Sequence, residues 1–420
     1  MTTFNCYLLD GEFKKQKLAN FDKLVKTINE RRTKLYQLEL SLIIDLLHQL
    51  GKEVLFDKKI NSLEGIVYLS SWLKKDNLKK ICKLNFFDEK NSEILAQPRG
   101  VVCHWIAGNI PTLAFFSLVL AILSKNGSIL KIPKANQELL LYILKKLSRL
   151  KINYQGKSYS GRVIVKSIAV VSFSSQSQKL SQKLSLAADC KVVWGGAKAV
   201  KSIIALPQKE HCETIFFGPK YSFAIFDKKF IESNQFEKAL LKSALDVVLF
   251  KQMACSSPHV FFFEKSKYPL IEIAQKIKTS FEKLDRKYFK KNLSEKTISK
   301  IINARGFYSL DVKKNIIKSP GLDWTILINK KISLEEPIQG RTIFLKEVKN
   351  IDQILPLITR KVQALSLAVL NQEKRKAFAK KATFCGVDRI VPPGKMHNFD
   401  IPWDGVLILS RLVRWVILKD

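Results

Sequence analysis

The chain is short of acidic residues and of paired cysteines, and it has no apolar run of membrane length. Across 420 residues, 37 aspartates and glutamates stand against 72 lysines and arginines, a formal charge of +35. The seven cysteines (Cys6, Cys82, Cys103, Cys190, Cys212, Cys255 and Cys385) are widely spaced, with no CxxC. That pattern supports neither a disulfide framework nor a zinc ribbon. Five histidines, none in an HxxxH or HExxH spacing, give a metal centre little support. The longest apolar run, residues 110–123 (IPTLAFFSLVLAIL), falls short of the roughly 20 residues of a membrane span and reads as a buried helix. The opening MTTFNCYLLDGEFKK lacks the charged-then-apolar order of a signal peptide. A reduced, cytoplasmic protein with no transmembrane segment is expected.

The basic excess does not point to nucleic acid. Only 13 of the basic residues are arginine and the other 59 are lysine, whereas base and phosphate recognition leans on the bidentate geometry of arginine. The lysines are scattered singly and in pairs, and helicase, zinc-finger and RNA-recognition signatures are absent. A solvated, lysine-rich surface is expected, with no nucleic-acid partner; its field would help gather anionic small molecules. Apolar residues at 46 % supply enough side chains for a sizeable core, and the length suggests two domains.

The first hundred residues look helical. Leu18, Phe21, Leu24, Val25 and Ile28 recur at three- and four-residue steps, and Leu35 through Leu50 do so more clearly, with Gly51 as the expected C-cap. From Gly100 the texture alternates. GVVCHWIAGN begins as a strand, the apolar helix follows, and SILKIPK (128–134) is a second strand. Residues 136–150 read as helix, 163–171 as strand, 176–188 as helix and 190–196 as a strand stopped by two glycines. This pitch predicts a parallel sheet covered on both faces, with ligands collecting at the carboxyl ends of its strands. A second α/β stretch starts near Gly218. Strands are expected at 222–227, 259–264, 324–329 and 342–348, helices at 236–250, within 270–305 and at 354–377, and a β-rich close at 405–418.

Cys255 lies in the turn ACSSP (254–258), between an amphipathic helix and a buried strand. A thiol there either fills a small-residue bend or is presented to a ligand as a nucleophile. Asn109 ends a strand before Pro111, where an amide serves as a helix N-cap or turn residue or as a donor to an oxyanion. Lys131 and Lys134 flank Pro133 at another strand end, placed for ribose or phosphate, although isolated lysines in so lysine-rich a chain carry little weight. Gly195–Gly196 permits a helix N-terminus to approach phosphate. His104, on an apolar strand, reads as a core histidine, and His259 is the one histidine beside the Cys255 turn.

In order along the chain, AGNIP (107–111), SILKIPK (128–134), VVWGG (192–196), FFGPKYSF (216–223), ACSSP (254–258) and CGVDRIVPPGK…WDG (385–395, 403–405) resemble the LuxC-type acyl-CoA reductases. These form long-chain fatty aldehydes and belong to the aldehyde dehydrogenase superfamily. The resemblance runs from about Gly100 to Gly405. It implies an aldehyde-dehydrogenase-like α/β fold of two domains with parallel sheets and a cleft between them. Expected boundaries are a helical segment 1–95, a dinucleotide-binding domain 96–217, a catalytic domain 218–395 and a C-terminal β segment 396–420. That last segment returns to the cofactor domain or to a partner in a homo-oligomer.

By the same resemblance, Cys255 is the thiol that becomes acylated and Asn109 the oxyanion-hole amide, acting with the Cys255 backbone N–H. Lys131 binds the adenosine ribose, Gly195–Gly196 lies by the pyrophosphate and Glu336 holds the nicotinamide ribose, though the residues after Glu336 depart from the superfamily pattern. Two further departures matter. Phe216 stands where hydrolytic relatives carry the glutamate that activates water, so an acyl-enzyme should persist until it is reduced; Glu213, three residues earlier, is the conceivable substitute. Lys134 stands where NAD-preferring relatives carry a glutamate, which favours NADPH by charge-assisted hydrogen bonding. The expected reaction is NADPH-dependent reduction of an acyl thioester, from acyl-CoA (coenzyme A leaving) or from an acyl-adenylate-forming partner enzyme, to an aldehyde through an acyl-cysteine. Two rivals stand beside it: an aldehyde dehydrogenase producing acids, and a basic, non-catalytic binding protein on the same scaffold.

Overall fold

The computed structural model describes residues 3–86, 93–284, 286–289, 293–311 and 315–419. Two units are present, Met1–Gly218 with Phe399–Asp420, and Pro219–Asn398.

In the first unit, five parallel strands lie side by side in the order Glu213–Phe217, Cys190–Trp194, Val101–Trp105, Gly127–Lys131, Ile168–Ser172. Phe4–Leu8 then pairs antiparallel with Ile168–Ser172, and Gln16–Leu18 with Phe4–Leu8. Successive residues of a strand point to opposite faces, and both faces are covered. Val102, Leu130, Val170 and Val192 meet the helices Leu40–Phe56 and Leu113–Leu123. Cys103, Ile129, Ala169 and Val193 meet Phe21–Tyr36 and Gln178–Ala187. Every residue of Leu113–Leu123 is buried, as a composition apolar at every position but Ser117 requires.

The second unit repeats the layering. Its strand order is Asn315–Lys318, Thr325–Ile328, Thr342–Val348, Pro258–Glu264, Tyr221–Phe226, Val362–Ala368, Arg389–Val391. All neighbours are parallel except the first pair. The central run Val260–Phe261–Phe262–Phe263 divides between the faces. Phe261 and Phe263 join a core with Phe236–Val248 and Leu270–Glu282, while Val260 and Phe262 join one with Gln372–Cys385. Among the described residues, no helix is long and apolar enough to cross a membrane.

Several expected elements differ. The first hundred residues are not helical throughout: Phe4–Leu8 is a sheet strand and Ile94–Pro98 pairs antiparallel with Val413–Ile417. Residues 163–171 split into a helical turn, Arg162–Lys166, and the strand Ile168–Ser172. Burial of Ile164 and Val165 outweighs their β-propensity there, and the Ser167 hydroxyl bonds the Ile164 carbonyl at the break. Within 354–377 the centre is the strand Val362–Ala368, buried at all seven positions. A central parallel strand is apolar on both faces, so alternation cannot separate it from a helix. The close at 405–418 begins with a helical turn, Ile408–Arg411, before its strand.

Gly51 is not a C-cap. It is buried inside Leu40–Phe56, which runs on to Phe56. A Cβ there would lie 2.9 Å from Leu73 Cβ and 3.4 Å from the Ser70 carbonyl oxygen, so glycine is what lets Ile66–Trp72 pack closely. Gly51→Ala gains about 1 kcal/mol of helix propensity but costs about 1–3 kcal/mol of overpacking. Denaturant unfolding should therefore show a net loss of stability.

Candidate active site

In the first unit the strands run outward in both directions from Val101–Trp105. Gly127–Lys131 and Ile168–Ser172 lie to one side, Cys190–Trp194 and Glu213–Phe217 to the other. The reversal between Val101–Trp105 and Cys190–Trp194 is a topological switch point, where doubly wound sheets bind ligands at the carboxyl ends of their strands. Four of the expected residues meet at that edge. Asn109 follows Val101–Trp105, Lys131 closes the neighbouring strand in register with Trp105, and Gly195–Gly196 follows Trp194. Asn109 is not a helix cap, since Thr112 holds that position. The buried Asn136 fastens its loop, donating to the Ala107 and Ile110 carbonyls at 3.1 and 3.2 Å.

Lys131 is half-buried. Its ammonium lies 4.9 Å from the Phe173 ring centre, and burial lowers its pKa. Lys134 opens the helix Lys134–Arg149, whose first turn has no acidic residue. Its charge and the positive end of the helix dipole therefore add. Gly196 is the N-cap of Ala197–Ile204 and offers no side chain to its N–H groups; a Cβ at Gly196 would meet nothing within 4 Å. Open backbone N–H groups beside lysines at a switch point fit the diphosphate and ribose groups of a dinucleotide.

Beside this edge, His104 is a core residue. It is fully buried with Nδ1 2.9 Å from Ser117 Oγ, and burial lowers its pKa to about 3. Phe216 points to solvent, 54 % exposed, while Phe217 stacks on Trp194. Glu213 is held by Arg99 and Arg411. Both guanidinium groups engage this carboxylate, so the one conceivable replacement for a water-activating glutamate is already committed to ion pairs.

In the second unit, Cys255 and Cys385 alone of the seven cysteines escape full burial. Burial pushes the thiols of Cys6 and Cys82 up to about 11 and about 12. Cys255 sits in a turn closed by the Ser257 N–H on the Ala254 carbonyl (2.9 Å), just before Pro258–Glu264. Upstream, Phe250, Lys251 and Gln252 all have positive φ (53°, 54° and 61°), a left-handed stretch that costs energy for residues with a Cβ. The buried Gln252 side chain holds it. Its Nε2 donates to the Pro258 and Thr342 carbonyls at 3.0 Å, and its Oε1 accepts the Thr342 N–H at 2.8 Å. Ser222 Oγ donates to the Cys255 carbonyl at 2.7 Å.

His259 is not a base. Its Nδ1 and Nε2 lie 2.8 and 2.7 Å from the Ser222 and Glu335 carbonyl oxygens, and no nitrogen is left over to take a proton from a thiol. The ring instead ties the loop of Glu335 and the exposed Glu336 to the sheet. The fully buried Lys346 grips the same loop through the Glu335 carboxylate, Asn329 and the Lys331 carbonyl. Two of the quoted motifs join where Lys220 of FFGPK pairs with Asp388 of GVDR. Sequence reasoning missed Gln252, Lys346, His397 and Asp246. His397 Nδ1 lies 3.0 Å from Ser256 Oγ and its Nε2 2.8 Å from the Asp246 carbonyl, across 141 and 151 residues of sequence.

A family model described as acyl-CoA reductase (LuxC) matches residues 8–415, well upstream of the first quoted motif. A long-chain acyl-protein thioester reductase of Photorhabdus luminescens is 26 % identical over 371 residues, 87 % of this chain and 70 % of that one. The protein of the same description from Aliivibrio fischeri is 24 % identical over 375 residues, covering 87 % and 71 %. Among solved structures, the aldehyde dehydrogenase KauB of Pseudomonas aeruginosa aligns over 99 % of this chain and 94 % of its own, with a TM-score of 0.70 at 12 % identity. Lactaldehyde dehydrogenase of Escherichia coli aligns over 100 % and 96 %, with a TM-score of 0.66 at 9 % identity. The fold is aldehyde-dehydrogenase-like.

Two substitutions test this packing. Gln252→Ala leaves buried backbone groups without partners, at about 1–3 kcal/mol for such a group, and should lower the denaturation midpoint accordingly. Burial lifts the Asp246 carboxyl from 3.8 to about 7. Between those values the folded chain keeps a proton the unfolded chain has lost, so the carboxyl's penalty is absent below about pH 4 and full above about pH 7. Asp246→Asn should accordingly be more stable than the parent at pH 8, with the difference vanishing towards pH 4. A constant difference across that range would contradict the assignment.

Proposed function

The chain belongs to the acyl-CoA reductase (LuxC) family of aldehyde-forming oxidoreductases, and on that premise we propose that Cys255 is the residue that carries the acyl group. Its thiolate attacks the carbonyl of an acyl thioester, the sulfur–carbon bond forms, and the donor thiolate, coenzyme A or a carrier protein's thiol, leaves. The Cys255 backbone N–H and the Asn109 amide donate to the oxyanion that develops in this step and again during reduction. A reduced nicotinamide, when bound, supplies the hydride. Collapse of the thiohemiacetal breaks the carbon–sulfur bond, releases the aldehyde and returns the Cys255 thiolate.

The observation that carries this reading is the Cys255 turn, a part-exposed thiol on a bend whose backbone is fixed by Gln252 and Ser222. The loss of a free carboxylate at Phe216 and Glu213 supports reduction over hydrolysis. Lys131 and Gly195–Gly196 are suited to the adenosine ribose and diphosphate, and Glu336, on its anchored loop, to the nicotinamide ribose. Lys134, on an uncapped first turn that holds no acidic residue, favours the 2′-phosphate of NADPH. The names of the curated relatives, acyl-protein thioester reductases, support a donor that is another protein; an acyl-adenylate-forming enzyme is the class that generates such a group.

With acyl-CoA and NADPH, the product should be free aldehyde, and Cys255→Ala should form none. Fatty acid as the main product, or a fully active Cys255→Ala protein, would contradict the proposal. Asn109→Ala removes one oxyanion donor and should lower kcat by about a hundredfold or more. Lys134→Glu should reverse the preference between NADPH and NADH in kcat/KM, and an unchanged ratio would place the 2′-phosphate elsewhere.

A further inference from the structure

The turn that bears Cys255 is held on both sides. Ser222 Oγ donates to the Cys255 carbonyl at 2.7 Å and accepts the Ala364 N–H at 3.2 Å, so its own position is set by the neighbouring strand Val362–Ala368. On the other side stands Ser256, buried, with Oγ 3.0 Å from His397 Nδ1. The roles in that contact follow from the far side of the ring. His397 Nε2 faces the Asp246 carbonyl at 2.8 Å, and a carbonyl only accepts, so Nε2 carries the hydrogen. In the neutral ring Nδ1 then keeps its lone pair and accepts the Ser256 hydroxyl proton. Burial keeps the ring neutral, lowering its pKa to about 4.

His397 is itself fixed. Its loop is anchored by Gly394 N–H on the Asp246 carboxyl (2.7 Å) and by Arg389, which donates to the Asn398 carbonyl at 2.6 Å and to the Met396 carbonyl. Phe250, in the left-handed stretch, meets the imidazole edge to face at 5.2 Å. The loop after VPPGK is thus a brace whose tip is one acceptor nitrogen, and that nitrogen engages the residue next to Cys255.

We infer that His397 is a positioning residue for the acyl-transfer step, acting through Ser256 to hold, together with Ser222 on the Cys255 carbonyl and the Ser257 N–H on the Ala254 carbonyl, the turn whose backbone carries the Cys255 N–H. What depends on that fixation is the direction of the Cys255 N–H towards the oxyanion. The inference rests on the proposal that Cys255 is acylated. Because the ring is a neutral acceptor with one donor, it takes no proton from the thiol. An amide side chain, with its acceptor and donor on one carbon, can replace it.

The test compares wild type with Ser256→Ala, His397→Ala, His397→Gln and the double alanine variant. Thermal unfolding of each establishes folding. Acylation of Cys255 by the acyl-CoA that loads wild type fastest is timed by intact mass, and alkylation of the same thiol by iodoacetamide is timed in parallel. Misplacement of a reacting group by about 1 Å costs on the order of a hundredfold. Each single alanine variant should therefore acylate roughly 10–100-fold more slowly. The double variant should be hardly slower than either single one, because both cut the same tie. Alkylation needs no oxyanion donor and should change little. His397→Gln should restore most of the rate, and with Ser256→Ala it carries the test if His397→Ala does not fold. Multiplying effects in the double variant, a parallel fall in alkylation, or a failed rescue by glutamine would overturn the inference. A wild-type protein that takes up no acyl group, or takes it up equally as Cys255→Ala, would instead refute the role of Cys255 itself.

Discussion

One buried side-chain amide, that of Gln252, sets the backbone from which the proposed chemistry starts. It answers three main-chain groups at the starts of two adjacent strands, Pro258–Glu264 and Thr342–Val348. In doing so it holds three consecutive residues in a left-handed conformation that L-residues otherwise avoid. Strain next to a reactive side chain is tolerable only where the surrounding bonds over-determine it, and here Ser222, Ser256 and His397 add to what Gln252 begins.

The candidate residues stand at opposite ends of the strands in the two sheets. In the first, Asn109, Lys131 and Gly195–Gly196 cluster at carboxyl ends around the switch point, where uncapped N–H groups and lysines suit an anion. In the second, the Cys255 turn stands at the amino end of a central strand, and its neighbours are mostly neutral donors and acceptors. The scarce acidic residues are spent on specific cations: Glu213 on Arg99 and Arg411, Asp388 on Lys220, and Glu264 with Asp227 on Lys374. In a chain of charge +35 these carboxylates serve as partners to particular cations, and the surplus lysines remain for solvent and for anionic ligands.

Much of the layered architecture was legible, because alternating apolar strands and amphipathic helices leave a strong periodic trace. Val362–Ala368 is buried at every position, and full burial erases the period that tells strand from helix. Arg162–Lys166 is a single turn with Ile164 and Val165 buried, too short to show a period at all. Gly51 misled because glycine ends helices more often than it admits a neighbouring helix. The candidate site was legible where it is local: the ACSSP turn, the strand-end AGN and the two glycines. It was opaque where side chains far apart in sequence converge. Nothing in the local context of Gln252, His397 or Lys346 separates them from surface residues of the same type; only the sheet order brings them to their partners.

The most direct test of the central claim is to mix the protein with a series of acyl-CoAs in the absence of any nicotinamide, quench, and map the adduct by peptide mass. The account predicts a single acyl group on the peptide containing Cys255, removable by a free thiol and absent from Cys255→Ala. An adduct on another cysteine, or none at any chain length while aldehyde is still formed from acyl-CoA once the nicotinamide is added, would contradict it.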